Sequence, residues 1–210
     1  MAGIHDSFMN WTGNLPFNWF DVTVVLLLAV GYARGKKNGM SQESLAVLKW
    51  AALVGGAAVA YEPLGLWLAV TLQVGKLLAY ILAYCLTALV IALLFVFINR
   101  TIGEKLKGSD AFGKAEFYLA MPAGMLRFAC IVLAFLALLN ARYYTTAEIK
   151  AMTKYQNDNY GSNFFPTLSS IQDDVFLGSF VGKQVKANLG FLLIKPTAPV
   201  PAKAPATVQR

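Results

Sequence analysis

The chain has 210 residues, 57% hydrophobic and 14% charged, with a formal net charge of +7. Soluble domains run about 45–50% apolar and about 25% charged. This composition, with a mean hydropathy of +0.54, argues against a soluble enzyme domain, a disordered chain or a collagen-like fibre, and for an integral membrane protein.

In chain order, an N-terminal tail (1–16) precedes a first apolar segment, 17–35, which opens near Asp21. No Lys or Arg comes before it, so it reads as an uncleaved transmembrane helix rather than a secretory signal. A second segment, 45–61, is closed by Glu62-Pro63, where proline cannot continue the hydrogen-bond ladder. From Pro63 to Asn99 the only charge is Lys76. One straight helix over that stretch would be ~50 Å long against a hydrocarbon core of ~30 Å. A break is therefore expected near Gly75-Lys76, with 64–74 a short interfacial or re-entrant helix and 77–98 the third span. The fourth span, 118–141, contains Pro122 and Arg127. The fold class predicted is thus all-α and polytopic, with about four transmembrane helices.

The segment 142–195 is polar, then amphipathic. Ser170-x-x-Asp173 resembles a capping box, and Ile171, Val175 and Gly178 or Phe180 fall on one helical face after it. Prolines 196, 199, 201 and 205 among alanines predict a disordered tail over 196–210.

Lys and Arg set the orientation. Arg34, Lys36, Lys37 and Lys49 follow the first span, and Arg100, Lys105, Lys107 and Lys114 follow the third, whereas the N-terminal tail has none. Both basic loops are expected in the cytoplasm and both termini outside. Trp11, Trp19, Trp50 and Trp67 lie near predicted helix ends, as interfacial anchors do.

Few residues suggest chemistry. Cys85 and Cys130 lie in apolar runs and read as small packing residues. His5 is the single histidine, which argues against histidine-based catalysis. Residues Gly108–Ala115 stop one residue short of a P-loop, since Ala115 stands where Ser or Thr must hold Mg²⁺, and no strand precedes them. No catalytic residue, metal or cofactor is expected. No basic run is interleaved with aromatics, so nucleic acid is not an expected partner.

Small residues recur at four-residue spacing: Gly31, Gly35 and Gly39; Ala52, Gly56 and Ala60; Ala120 and Gly124. Such stripes let helix backbones approach closely, within one chain or between two copies. Arg127, about two turns into the fourth span, has two readings. It either snorkels to cytoplasmic headgroups or turns inward to a partner or polar cavity. Asp21 lies near the opposite membrane face, a poor position for a direct pair. A carbonyl freed near Pro122, Asn99 or Asp110 is the expected inward partner, and Glu116 is too near the cytoplasmic end for burial to be expected.

Asp21 opening the first helix, followed by Arg34-Gly35 and Gly39, resembles the start of colicin V production (CvpA) family membrane proteins. Glu116-x-x-Leu119-Ala120-Met-Pro-Ala-Gly124-Met-Leu-Arg127 is similar to the family's second motif, with Ala120 in place of the first Gly and Phe128 in place of the Gly that often follows the Arg. The resemblance spans Asn18–Asn140, and Phe164–Gln172 through Ile194 resembles the tail of longer members. It implies a multi-pass inner-membrane protein linked to colicin V production or toxin biosynthesis, without catalytic residues. A non-enzymatic scaffold or accessory factor is the reading that follows. A small transporter or channel subunit is one alternative, and a membrane anchor or regulator for a periplasmic enzyme is another. The partners expected are the lipid bilayer and either a second copy or another membrane or periplasmic protein.

Overall fold

Four long helices carry the architecture. The computed structural model describes residues 17–107, 113–161 and 166–198, with backbone only at 102–107 and 114. The tail 1–16 with His5 and Trp11, the turn residue Asp110, Phe164-Phe165 and residues 199–210 lie outside the described residues.

Helix α1 is Trp19–Asn38, α2 Met40–Leu72, α3 Lys76–Lys107 and α4 Glu116–Asn140, preceded by a 3-10 turn at Gly113–Ala115. Among the described residues there is no β-strand, only an isolated parallel bridge between Arg142 and Thr197. Three helical stretches are long and apolar enough to cross a membrane: Met40–Leu72, Lys76–Thr101 and Glu116–Asn140. The chain is an all-α membrane protein. The fourth expected span, 17–35, is helical as α1 but does not meet that measure. Its uncharged stretch between Asp21 and Arg34 covers only about 18 Å of helix axis.

The expected break at Pro63 is absent. Helix α2 runs unbroken through Pro63, so 64–72 is its last part and no separate interfacial or re-entrant helix forms. Proline removes one backbone hydrogen bond, but apolar surroundings offer the helix no better alternative to continuing. The break comes instead at residues 73–75. Gln73 takes a left-handed conformation (φ 54°) and α3 starts at Lys76, as the length argument required.

Two antiparallel pairs form the bundle. In the first, Gly65 of α2 abuts Tyr80 of α3 and Gly56 faces Ile91. In the second, Gly31 and Gly35 of α1 lie against Gly124 and Ala120 of α4. The small-residue stripes therefore close the bundle within one chain. Helix α3 packs chiefly on α2, and only 11% of its apolar window is buried. Leu86, Leu89, Leu93 and Phe97 are left facing outward, as a lipid-facing helix requires.

The C-terminal segment folds back onto one end of this bundle. Helix α5 (Thr146–Tyr160) is capped by Thr145 and Glu148 in a reciprocal box and buries no residue. Helix α6 (Leu168–Asp173) begins at Thr167, whose side chain accepts from the Ser170 N–H. The cap is thus three residues earlier than the Ser170 box predicts, because Thr167 occupies the extended conformation that a cap needs. A π-helical turn, Asp174–Gly178, and helix α7 (Phe180–Asn188) follow. Val175, Phe176, Val185, Leu193 and Ile194 then join Phe20, Val24, Tyr61, Tyr84 and Leu136 in one core. Of the predicted face, Ile171 and Val175 pack inward, whereas Phe180 is exposed.

Polar contacts fasten this cap. The Asn140 side chain donates to the Ile194 carbonyl at 2.9 Å, and Gln172 donates to the Leu139 and Arg142 carbonyls. Thr197 pairs with the backbone of Ala141 and Tyr143, so the expected disorder does not begin at Pro196. Lys195 reaches Glu62 at 2.7 Å, and that hydrogen bond holds its ammonium above the ordinary lysine range.

Candidate functional site

At the opposite end from the cap, the residues singled out in the sequence converge on one joint. Gly39 links α1 to α2 as a single-residue turn with φ 79°, ψ 162°, a conformation that suits glycine. A side chain there would also meet the Glu116 carboxylate, 2.7 Å from an added Cβ. Having no side chain, Gly39 cannot cap α2. Glu116 does so from α4, accepting from the Ser41 backbone N–H and hydroxyl, both at 2.8 Å. Glu116 therefore has a structural task at the end where its burial was not expected.

Along the same interface, the α1 and α4 backbones touch. A Cβ on Gly31 would lie 2.6 Å from the Gly124 carbonyl oxygen, and one on Gly35 would overlap the Ala120 carbonyl oxygen. Ala120 thus serves where the family-like pattern has glycine, because Gly35 opposite provides the clearance. Arg34 is exposed and takes no part in this joint among the described residues.

Arg127 turns inward. Its Nη1 lies 3.4 Å from Oε2 of Glu43, a carboxylate only 1% exposed, while Asn38 donates to Oε1 at 2.7 Å. The partner is neither a carbonyl near Pro122 nor Asn99. Glu43 was not among the sequence candidates, although it is the single acid in the basic stretch from Arg34 to Lys49. A cavity of about 260 Å³ opens beside the pair. Its polar lining is Asn38, Gln42, Glu43, Lys49, Asn99 and Arg127.

Asp21 belongs to the other end, so it does not meet Arg127. At 1% exposure it accepts the Asn18 N–H at 2.9 Å in the α1 capping box. It also accepts the Phe180 and Val181 N–H groups at 2.9 and 2.8 Å. One carboxylate thereby satisfies the N-termini of both α1 and α7. Of the tryptophans, Trp19 and Trp67 are exposed as anchors would be, whereas Trp50 keeps a buried Nε1 without a partner among the described residues.

The Glu43–Arg127 pair predicts a specific coupling. Arg127→Ala leaves Glu43 buried and uncompensated, which costs about 3–5 kcal/mol. Arg127→Ala combined with Glu43→Gln should recover part of that loss. Thermal unfolding of the two single variants and the double variant in detergent measures it. Additive effects would mean that the pair is not coupled.

These features define a class: a helical membrane bundle, closed by glycine contacts and three buried or half-buried carboxylates, with a folded C-terminal cap. No family model, curated protein or solved structure matches the chain.

Proposed function

We propose that this chain is a non-enzymatic scaffold or accessory factor of the bacterial inner membrane, of the colicin V production type, acting in toxin biosynthesis and export or in envelope maintenance. One observation carries the reading. The two separate stretches that bear the family-like motifs, Gly35–Gly39 and Glu116–Gly124, meet face to face as one joint. The motif residues there hold helices in register, a role suited to a scaffold.

The test is colicin V release from a producer strain whose own protein of this type has been deleted. The chain should restore release. Arg127→Lys should be inserted and expressed but impaired, because lysine lacks the planar fork of arginine. Failure of the intact, membrane-inserted chain to restore release would remove the colicin V assignment. In-membrane crosslinking then identifies the proteins that the scaffold holds.

Orientation has its own check. Periplasm-active reporters fused after Glu62 and Asn159 should be active, and those after Lys37 and Lys107 silent. The opposite pattern would place the basic loops outside.

A further inference from the structure

We propose that the cavity between α2, α3 and α4 is an anion site for a phosphate group, supplied by the headgroup of an anionic phospholipid. The inference stands on the cavity and its charges, not on the colicin V assignment. Its cations are Arg127 and Lys49, and its acid is Glu43, which leaves one positive charge without a counter-ion among the described residues. Glu43 engages the guanidinium through Nη1 alone. Arg127 lines the cavity with its side chain 24% exposed, and among the described residues no other acceptor engages its guanidinium. A guanidinium presents its donors as a planar fork that grips an oxyanion. Glu43 thus positions the arginine and leaves its exposed donors for another acceptor. Lys49 lies 5.7 Å from the Trp50 ring centre, with no carboxylate in ion-pair range among the described residues.

The depth fits a headgroup. The apolar stretch of α3 ends at Thr101, and Asn99, on the cavity wall, lies just inside that end. The flanking basic residues Arg34, Lys36, Lys37 and Arg100 belong to the same end of the molecule, where an anionic surface is attracted. Basic pockets between transmembrane helices on such a face hold phosphate-bearing headgroups by the same physics.

The experiment uses the full chain in maltoside micelles, which carry no phosphate. Phosphatidylglycerol, phosphatidylcholine or inorganic phosphate is added in separate arms. Retained lipid is counted by native mass spectrometry, and thermal unfolding is followed in parallel. Phosphatidylglycerol should be retained through purification and raise the unfolding temperature more than phosphatidylcholine does. Lys49→Ala, which leaves the Glu43–Arg127 pair intact, should match the parent without additive yet need several-fold more lipid for the same shift. Arg127→Lys should weaken retention likewise. An equal, Lys49-dependent shift with inorganic phosphate alone would keep the phosphate site and overturn its assignment to lipid. No shift in any arm, or a shift that Lys49→Ala leaves unchanged, would overturn the site.

Discussion

Gly35→Leu is expected to lower the stability of the purified protein by about 3 kcal/mol or more, the upper range for overpacking a close contact. Even the first carbon of a side chain overlaps the Ala120 carbonyl oxygen, which belongs to a helix backbone and cannot rotate away. Helices α1 and α4 must separate, and the Gly39 turn and the Glu116 cap move with them. Gly56→Ala provides the contrast. Its added Cβ meets only the Ile91 side chain, closest at the terminal carbon at 2.6 Å, a flexible end that can shift. Gly55→Ala meets nothing within 4 Å and should be neutral or slightly stabilising, as alanine favours helix over glycine. Thermal unfolding and gel filtration in detergent rank the three. If Gly35→Leu unfolds like the parent, the α1–α4 contact is not a close one.

Asp21→Ala is expected to free the C-terminal cap. Three backbone N–H groups, those of Asn18, Phe180 and Val181, lose their acceptor at once. Buried donors without partners cost about 1–3 kcal/mol each, and the losses are not additive, so a total near 3 kcal/mol is expected. The readout is local. Amide exchange at Phe180 and Val181 and proteolysis within 143–195 should accelerate, while α2 and α3, whose hydrogen bonds do not involve Asp21 among the described residues, stay protected. Asp21→Asn keeps one acceptor oxygen and should fall between. Unchanged exchange at Phe180 and Val181 in Asp21→Ala would mean that the cap is held by its apolar contacts alone.

Much of the helical plan was legible in the sequence. Long uncharged runs can only be helices in a bilayer, because backbone groups there must be satisfied within the segment. That logic placed α3 and α4, and the length limit located the break before Lys76. The recurring glycines announced close packing, since a four-residue spacing puts them on one helix face whatever the partner. Asp21 and Glu116 stood out through the family-like motifs, Asp21 as the acid that opens the first helix.

The tertiary structure decided what those residues do to one another. Whether Pro63 ends a helix depends on what surrounds the carbonyl it frees, which local sequence does not contain. The partner of Gly35 could have been a second chain; it is Ala120, because the single-residue turn at Gly39 and the α1–α4 antiparallel register bring them together. Glu43 carried no signal in the sequence, and its burial against Arg127 follows only from the packing of α2 on α4. The role of Asp21 is the clearest case. Its place in the α1 capping box is a matter of three-residue spacing, whereas its grip on Phe180 and Val181 exists only because Val175, Phe176, Val185 and Ile194 bury themselves on the bundle end and carry the N-terminus of α7 to it.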